Sequence, residues 1–133
     1  MAKLADKRAV STEVKNLAAG IQAAQDPAIM KMEGWLKDWN KTVVSGEMPG
    51  MDMGSGSMPG MMFAAEMKSV QAGAGTEFDM MFLTMMIEHH KGAIAMSASE
   101  SAAGKNADAI AVAKTIVSAQ KGEIVTMKNL LKK

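Results

Sequence analysis

The chain has no cysteine and no tyrosine among its 133 residues, and only two histidines. Without thiols it forms neither disulfides nor thiolate metal sites, and the absence suits an oxidising compartment or a thiol-avoiding metal protein. Aromatic residues make up 4% of the sequence, too few for a platform on which nucleic-acid bases would stack. The formal net charge is +1, and Lys and Arg are spread along the chain, so there is no electrostatic footprint for nucleic acid. No uncharged apolar run approaches the roughly 20 residues of a membrane span. The longest, Met80 to Ile87, is far too short. The opening residues, Met-Ala-Lys-Leu-Ala-Asp-Lys-Arg, contain no apolar core of a secretory signal, so none is expected within this sequence. Composition alone leaves the compartment open. The length suits one domain with a modest core.

What the chain has instead is methionine, 16 residues of it. Both histidines are adjacent, at His89 and His90, and five methionines accompany them between Met80 and Met96. A chain without thiolates that gathers thioether and imidazole is suited to a soft metal ion. Cu(I) is the leading candidate, because Mg²⁺ or Ca²⁺ would demand oxygen ligands.

Almost everything reads as helix. The first segment, roughly residues 2–25, carries Leu17, Ile21 and Ala24 at helical spacing. Asp26-Pro27 resembles an N-cap followed by proline at the first helical position, so a restart or bend is expected there. Ile29, Met32, Leu36 and Trp39 then share one face. From residue 45 to 60, Gly, Pro and Ser punctuate a methionine-rich linker, in which Met-Pro-Gly-Met occurs at 48–51 and again at 58–61. A short helix is expected over residues 61–71. Thr76 is read as the cap of a long helix to about Ala102, Gly104 as its breaker, and Asn106 or Ala107 opens a last helix ending near Leu131. The domain organisation is thus one helical domain over 1–133. Residues 1–44 hold the first-repeat helices, 45–60 the linker, and 61–133 a second repeat with the His-His helix.

The repeat emerges on shifting the chain by 95 residues, which lays Ala18 on Ala113, Ile21 on Ile116, Gln25 on Gln120, Ile29 on Ile124, Met32 on Met127 and Leu36 on Leu131. Such spacing marks pseudo-symmetric halves of one bundle. Met1 falls on Met96, just past the second copy's histidines. The first copy's His-His half-helix is therefore expected to be missing, with Met1 a truncation point or a late start.

At about 100° per residue, Asp79, Leu83, Met86, His90 and Ile94 form one stripe, and His89 lies one step round with Phe82, Met85 and Met96. Met86 with His90, and Met85 with His89, are i, i+4 neighbours that can share an ion. Cu(I) accepts few ligands, and Glu123 or Met127 on the last helix could add one. Methionine binds without deprotonation, so it serves where thiolates fail. Against this, methionine fills irregular cores well, and packing is the default for Met32, Met80, Met81 and Met127. His90 could equally be a core histidine hydrogen-bonded to Asp79 or Glu123. Packing cannot explain the linker residues Met48, Met51, Met53, Met58, Met61 and Met62, because Gly- and Pro-rich segments build no core.

The run Glu77-Phe78-Asp79-Met80-Met81-Phe82-Leu83-Thr84-Met85-Met86-Ile87-Glu88-His89-His90, followed by Gly92-Ala93-Ile94 and Met96, resembles the bacterial family catalogued as domain of unknown function 305. The later Ala113, Ile116, Gln120, Glu123-Ile124, Met127 and Leu131 extend the resemblance. So does the stretch from Leu17 to Trp39, with Gln25-Asp26-Pro27-Ala28-Ile29 and Gly34-Trp35-Leu36. It covers nearly the whole chain. The family includes copper-binding members of the CopM type and implies a ferritin-like four-helix bundle, usually exported, which gives an extracytoplasmic location. By that resemblance Asp79, Met86, His89, His90 and Met96 occupy motif positions. Members of this type normally begin with an export signal and a first His-His helix, neither of which stands in this sequence. Ala28 stands where the second copy has Glu123, so the first half lacks that acidic partner.

The expected function is copper binding without catalysis: sequestration, buffering or delivery of Cu(I), with a copper transporter or chaperone as recipient. A ferritin-like oxidase would need several inward carboxylates and Glu-x-x-His pairs, and no Glu-x-x-His occurs in the chain. A Met-rich module binding apolar partners is the other alternative. Apolar surface left open by a missing half-hairpin would recruit a second copy into a homodimer.

Overall fold

The computed structural model describes residues 1–41 and 64–133, with side chains from residue 68 onward in the second stretch. The described residues form five helices: α1 (Ala2–Arg8), α2 (Thr12–Asp38), α3 (Ala64–Ala72), α4 (Gly75–Ala103) and α5 (Ala107–Leu130). They contain no strand, in keeping with the all-α bundle expected. α4 packs along α5 as one hairpin and α1 against α2 as another, while α2 touches α5 and α3 rests on α4. Lys133 at the end of α5 reaches Glu13 at the start of α2, so these two helices run in opposite directions. No described helix is long and apolar enough to cross a membrane.

Local chemistry sets the helix ends. The side chain of Ser11 accepts from the Val14 N–H at 3.3 Å, and that of Asn106 accepts from the Ala109 N–H at 3.0 Å. Each relieves an orphan donor of the first turn. The two caps lie 95 positions apart, the same offset that aligns the apolar positions.

Three boundaries differ from the sequence expectation. The first helix is not continuous over residues 2–25. Ala9 is extended, at φ −66° and ψ 142°, and the N–H groups of Val10 and Ser11 donate to the Asp79 carboxylate at 3.2 and 2.9 Å. A distant carboxylate has overridden local helix propensity. At Pro27 the helix neither stops nor restarts, because α2 runs through it. Proline offers no N–H to the Ala23 carbonyl, but Ala23 and Pro27 are both exposed, so water can serve that carbonyl. Thr76 does not cap α4. The chain turns at Gly75 with φ +66°, a conformation that suits glycine.

The core gathers at the end of the bundle where α1 hands over to α2. Ala5, Val14, Ala18 and Ile21 meet Val70, Phe78, Phe82, Leu83, Met86 and Met127. Phe78 and Phe82 stack with ring centroids 5.8 Å apart. Of the methionines for which packing was the default, Met127 is fully buried and Met81 packs against the core, whereas Met80 and Met32 are exposed. Beyond Ile21, α2 buries nothing.

Asp79 therefore latches the first hairpin onto α4, and Arg8 adds a bond to the Gly73 carbonyl at 3.1 Å. Replacing Asp79 by Ala leaves two backbone donors without their charged acceptor. A loss of roughly 2–3 kcal/mol of unfolding free energy is expected in urea titration. A loss below about 0.5 kcal/mol, the level of an ordinary surface change, would show that the latch is not needed.

Candidate metal centre

Helix α4 carries both histidines on different faces, so adjacency in sequence becomes a contrast in environment. His90 is fully buried. Its Nε2 lies 2.7 Å from Oε2 of Glu123 on α5. At that distance a proton must sit between a ring nitrogen and a carboxylate, so Nε2–H donates to Glu123. The other ring nitrogen, Nδ1, is buried and makes no hydrogen bond. Burial pushes the His90 pKa below the ordinary histidine value and outweighs the Glu123 carboxylate, which raises it; the neighbouring His89 lowers it further, and the backbone of Met86, one turn earlier, raises it a little. Neutral His90 thus keeps its proton on Nε2 and presents a lone pair at Nδ1.

This is the arrangement by which a carboxylate orients a metal-binding imidazole: one nitrogen anchored, the other left to a ligand. Met86, also buried, lies one turn before His90 on the same stripe. Among the described residues no group of three His, Asp or Glu side chains could hold an ion. An ion bound on these residues could take thioether sulfur from Met86 into its shell, a donor that suits a soft metal.

His89 is half-buried. Its ring lies 6.3 Å from that of His90, at 62° to it. It forms part of the wall of a cleft of about 660 Å³ between α2, α4 and α5, together with Met32, Met96, Gln120 and Glu123. Glu123 thus joins the buried histidine to the open cleft.

Of the sequence-predicted ligands, His90 and Met86 lie together on the buried stripe, while His89 and Met96 line the cleft. Met85 is partly buried against the core. Met127 is in the core itself, at 0% exposure. Asp79 uses both carboxylate oxygens to hold the start of α2, so its place in the motif is that of a latch. Met48, Met51, Met53, Met58, Met61 and Met62 lie outside the described residues. Glu123 proves to be the anchor of His90. Gln120 escaped the sequence reading as a site residue, yet it is buried and its Oε1 has no partner. The signal was a polar residue within the apolar stripe of Ile116, Ile124 and Met127.

Fold and site together define an all-α bundle protein whose longest helix sets a His-His pair among methionines. The chain belongs to the family Domain of unknown function (DUF305), whose model matches residues 1–131. It is similar to a DUF305 protein of Streptomyces coelicolor, named as a candidate secreted protein, at 32% identity and a TM-score of 0.84, over 98% of this chain and 80% of that one. A DUF305 fragment from Deinococcus radiodurans matches at 30% identity and 0.82, over 98% and 83%. CopM in its Cu(II)-bound form matches at 28% identity and 0.79, again over 98% and 83%. Among curated proteins none matches the chain.

The depressed pKa of His90 has a consequence for stability. Just below the ordinary histidine value of 6.5, the unfolded chain takes up a proton that folded His90 refuses. Stability is then full above that value and falls as pH drops through the window beneath it. The urea midpoint of the metal-free protein should decline from pH 7.5 towards pH 5, and His90→Gln should flatten that decline. An identical slope in the variant would place the titrating group elsewhere.

Proposed function

We propose that this protein binds copper, favours Cu(I), and serves to sequester, buffer or deliver that ion in copper tolerance without catalysing a reaction. The observation that carries the proposal is His90: buried, neutral, anchored through Nε2 on Glu123, and holding an unpartnered Nδ1. A buried nitrogen lone pair without a partner is costly unless something fills it. Met86, buried one turn earlier on the same stripe, would supply a thioether, and neither group has to lose a proton to bind a cation. Cu(I) suits a site of few, soft ligands. His89 and Met96 on the cleft wall offer the route by which the ion enters and leaves.

CopM, solved with Cu(II), supplies an independent precedent on a similar chain. An extracytoplasmic site of action fits the absence of cysteine and the relative named as a candidate secreted protein. Delivery would pass the ion to a copper transporter or chaperone. An oxidase of the di-iron type would require clustered carboxylates, whereas this centre pairs one carboxylate with one imidazole.

An anaerobic Cu(I) titration against a chromogenic chelator tests the proposal. Wild-type protein should compete, and His89→Ala/His90→Ala should lose most of that competition. Glu123→Gln should weaken binding by about 10–100-fold, as losses of an orienting partner do. Binding unchanged in the double variant would remove the site from α4. Failure of the wild-type chain to compete at all would end the copper proposal.

A further inference from the structure

Helix α5 turns an all-lysine face to solvent. Lys114, Lys121 and Lys128 recur every seven residues, so they stand in one row about 21 Å long. Each follows a buried residue of the core-facing repeat, Ala113, Gln120 and Met127, and each is exposed. Exposed Ser118 and Val125 alternate with them, and Lys132 continues the row just past the helix end. None of these residues lines the cleft. The helix that opens the chain, α1, packs on α2 and α4 and leaves this face uncovered. A face selected only for solvation mixes signs, as Lys91 and Glu88 do on α4 at 2.6 Å. Here no Asp or Glu stands three or four positions from any of the three lysines. The two acids of α5 lie elsewhere: Asp108 is in the first turn, and Glu123 turns inward to His90. The helix dipole favours a cation at Lys128, in the last turn. It gives no such reason for Lys114 or Lys121 at mid-helix, and Lys128 and Lys132 repel at i, i+4.

We propose that this face docks an acidic helix of another protein, one whose Glu or Asp residues recur at the same seven-residue spacing. The row Lys114, Ser118, Lys121, Val125 and Lys128 advances by four and three residues in turn, the spacing of a helix-pairing seam. Ser118 and Val125 are small enough for a second helix to lie close. The lysine stems then run along that helix while their ammonium groups reach its carboxylates. Charge chooses the partner. Two copies of this face would set lysine against lysine, so the chain does not pair with itself here. An anionic lipid surface would attract the row but read neither its spacing nor its seam, and it calls for large apolar side chains to sink into the bilayer. Val125, 59% exposed, is the one apolar side chain of the row and is too short for that part. The contact is electrostatic and independent of the ion proposed at His90, so it stands or falls apart from copper binding.

Fluorescence anisotropy of the metal-free chain with two labelled helical peptides tests the proposal. One peptide carries Glu every seven residues beside a seam of Ala and Leu; the other has the same composition with its glutamates scattered around the helix. The first should bind about tenfold tighter or more, and its binding should weaken as salt rises. Lys114→Glu/Lys121→Glu/Lys128→Glu should lose that binding. Lys37→Glu/Lys41→Glu/Lys105→Glu, an equal change of net charge at exposed sites elsewhere, should retain most of it. Ser118→Trp should weaken it about tenfold by holding the partner helix off the seam. All three variants alter exposed residues, and unchanged helical circular dichroism checks their folding. Equal affinity for the two peptides, equal loss in both triple variants, or no binding of either peptide would overturn the proposal. So would tighter binding to vesicles of phosphatidylglycerol and phosphatidylcholine than to either peptide, which would make the face a membrane contact.

Discussion

The hydrogen bond between His90 and Glu123 is the contact on which the chemistry of this bundle depends. It spans the α4–α5 hairpin, and it fixes the side of the imidazole that holds the proton. A buried ring can be neutral in either of two tautomers. The carboxylate chooses one, and so decides that the lone pair points away from α5. Without Glu123 a neutral His90 could turn either nitrogen to the interior. With it, one nitrogen is committed to structure and the other is open to a ligand.

The rest of the fold holds that contact in place from a distance. The dense core and the Asp79 latch lie at one end of α4, and the cleft lies towards the other. Asp79 is 11 positions before His90, about three turns along the helix. Stability is concentrated where the first hairpin is tied down, which leaves the region of His89, Met96 and Met32 less tightly covered. Under the proposed function, that division would suit the uptake and release of an ion. A ligand set sealed in the core would exchange slowly, whereas one bordering a cleft can pass its ion outward.

Much of this was legible in the residues. The α4 stripe followed from helical spacing, and Asp79, Leu83, Met86 and His90 are all buried as that spacing requires. The break at Gly104 and the start of the last helix at Asn106 or Ala107 were readable because the chemistry of helix ends is local, and the structure makes Asn106 the cap. The break at Ala9 to Ser11 was not, because its cause is a carboxylate 68 and 69 positions away in sequence. Pro27 misled for a related reason. Its usual effect is to end a helix, but an exposed carbonyl tolerates the lost bond. Family pattern grouped Asp79 with the ligands, and only three-dimensional contact separates a latch from a ligand when both are acidic residues on one stripe. Glu123 stood among possible donors, and its role as anchor needed the distance to His90.

The choice of methionine over cysteine completes the physical picture. A thiolate beside the partly buried Glu123 would set two anions close together, and each would disfavour the ionisation of the other. A thioether adds soft donor capacity without charge. The same neutrality explains how Met86 can lie in the apolar core with Phe82 and Leu83 of its own helix when no ion is bound. Imidazole held neutral by burial and thioether neutral by nature form a site with one fixed negative charge, that of Glu123, to balance a monovalent cation. A divalent ion would leave a net positive charge in the same buried space and would call for a further carboxylate. None of the other acidic residues joins His90 and Glu123 among the described residues. Under the proposed function, charge balance and ligand softness are two separate reasons for the site to favour a monovalent soft ion.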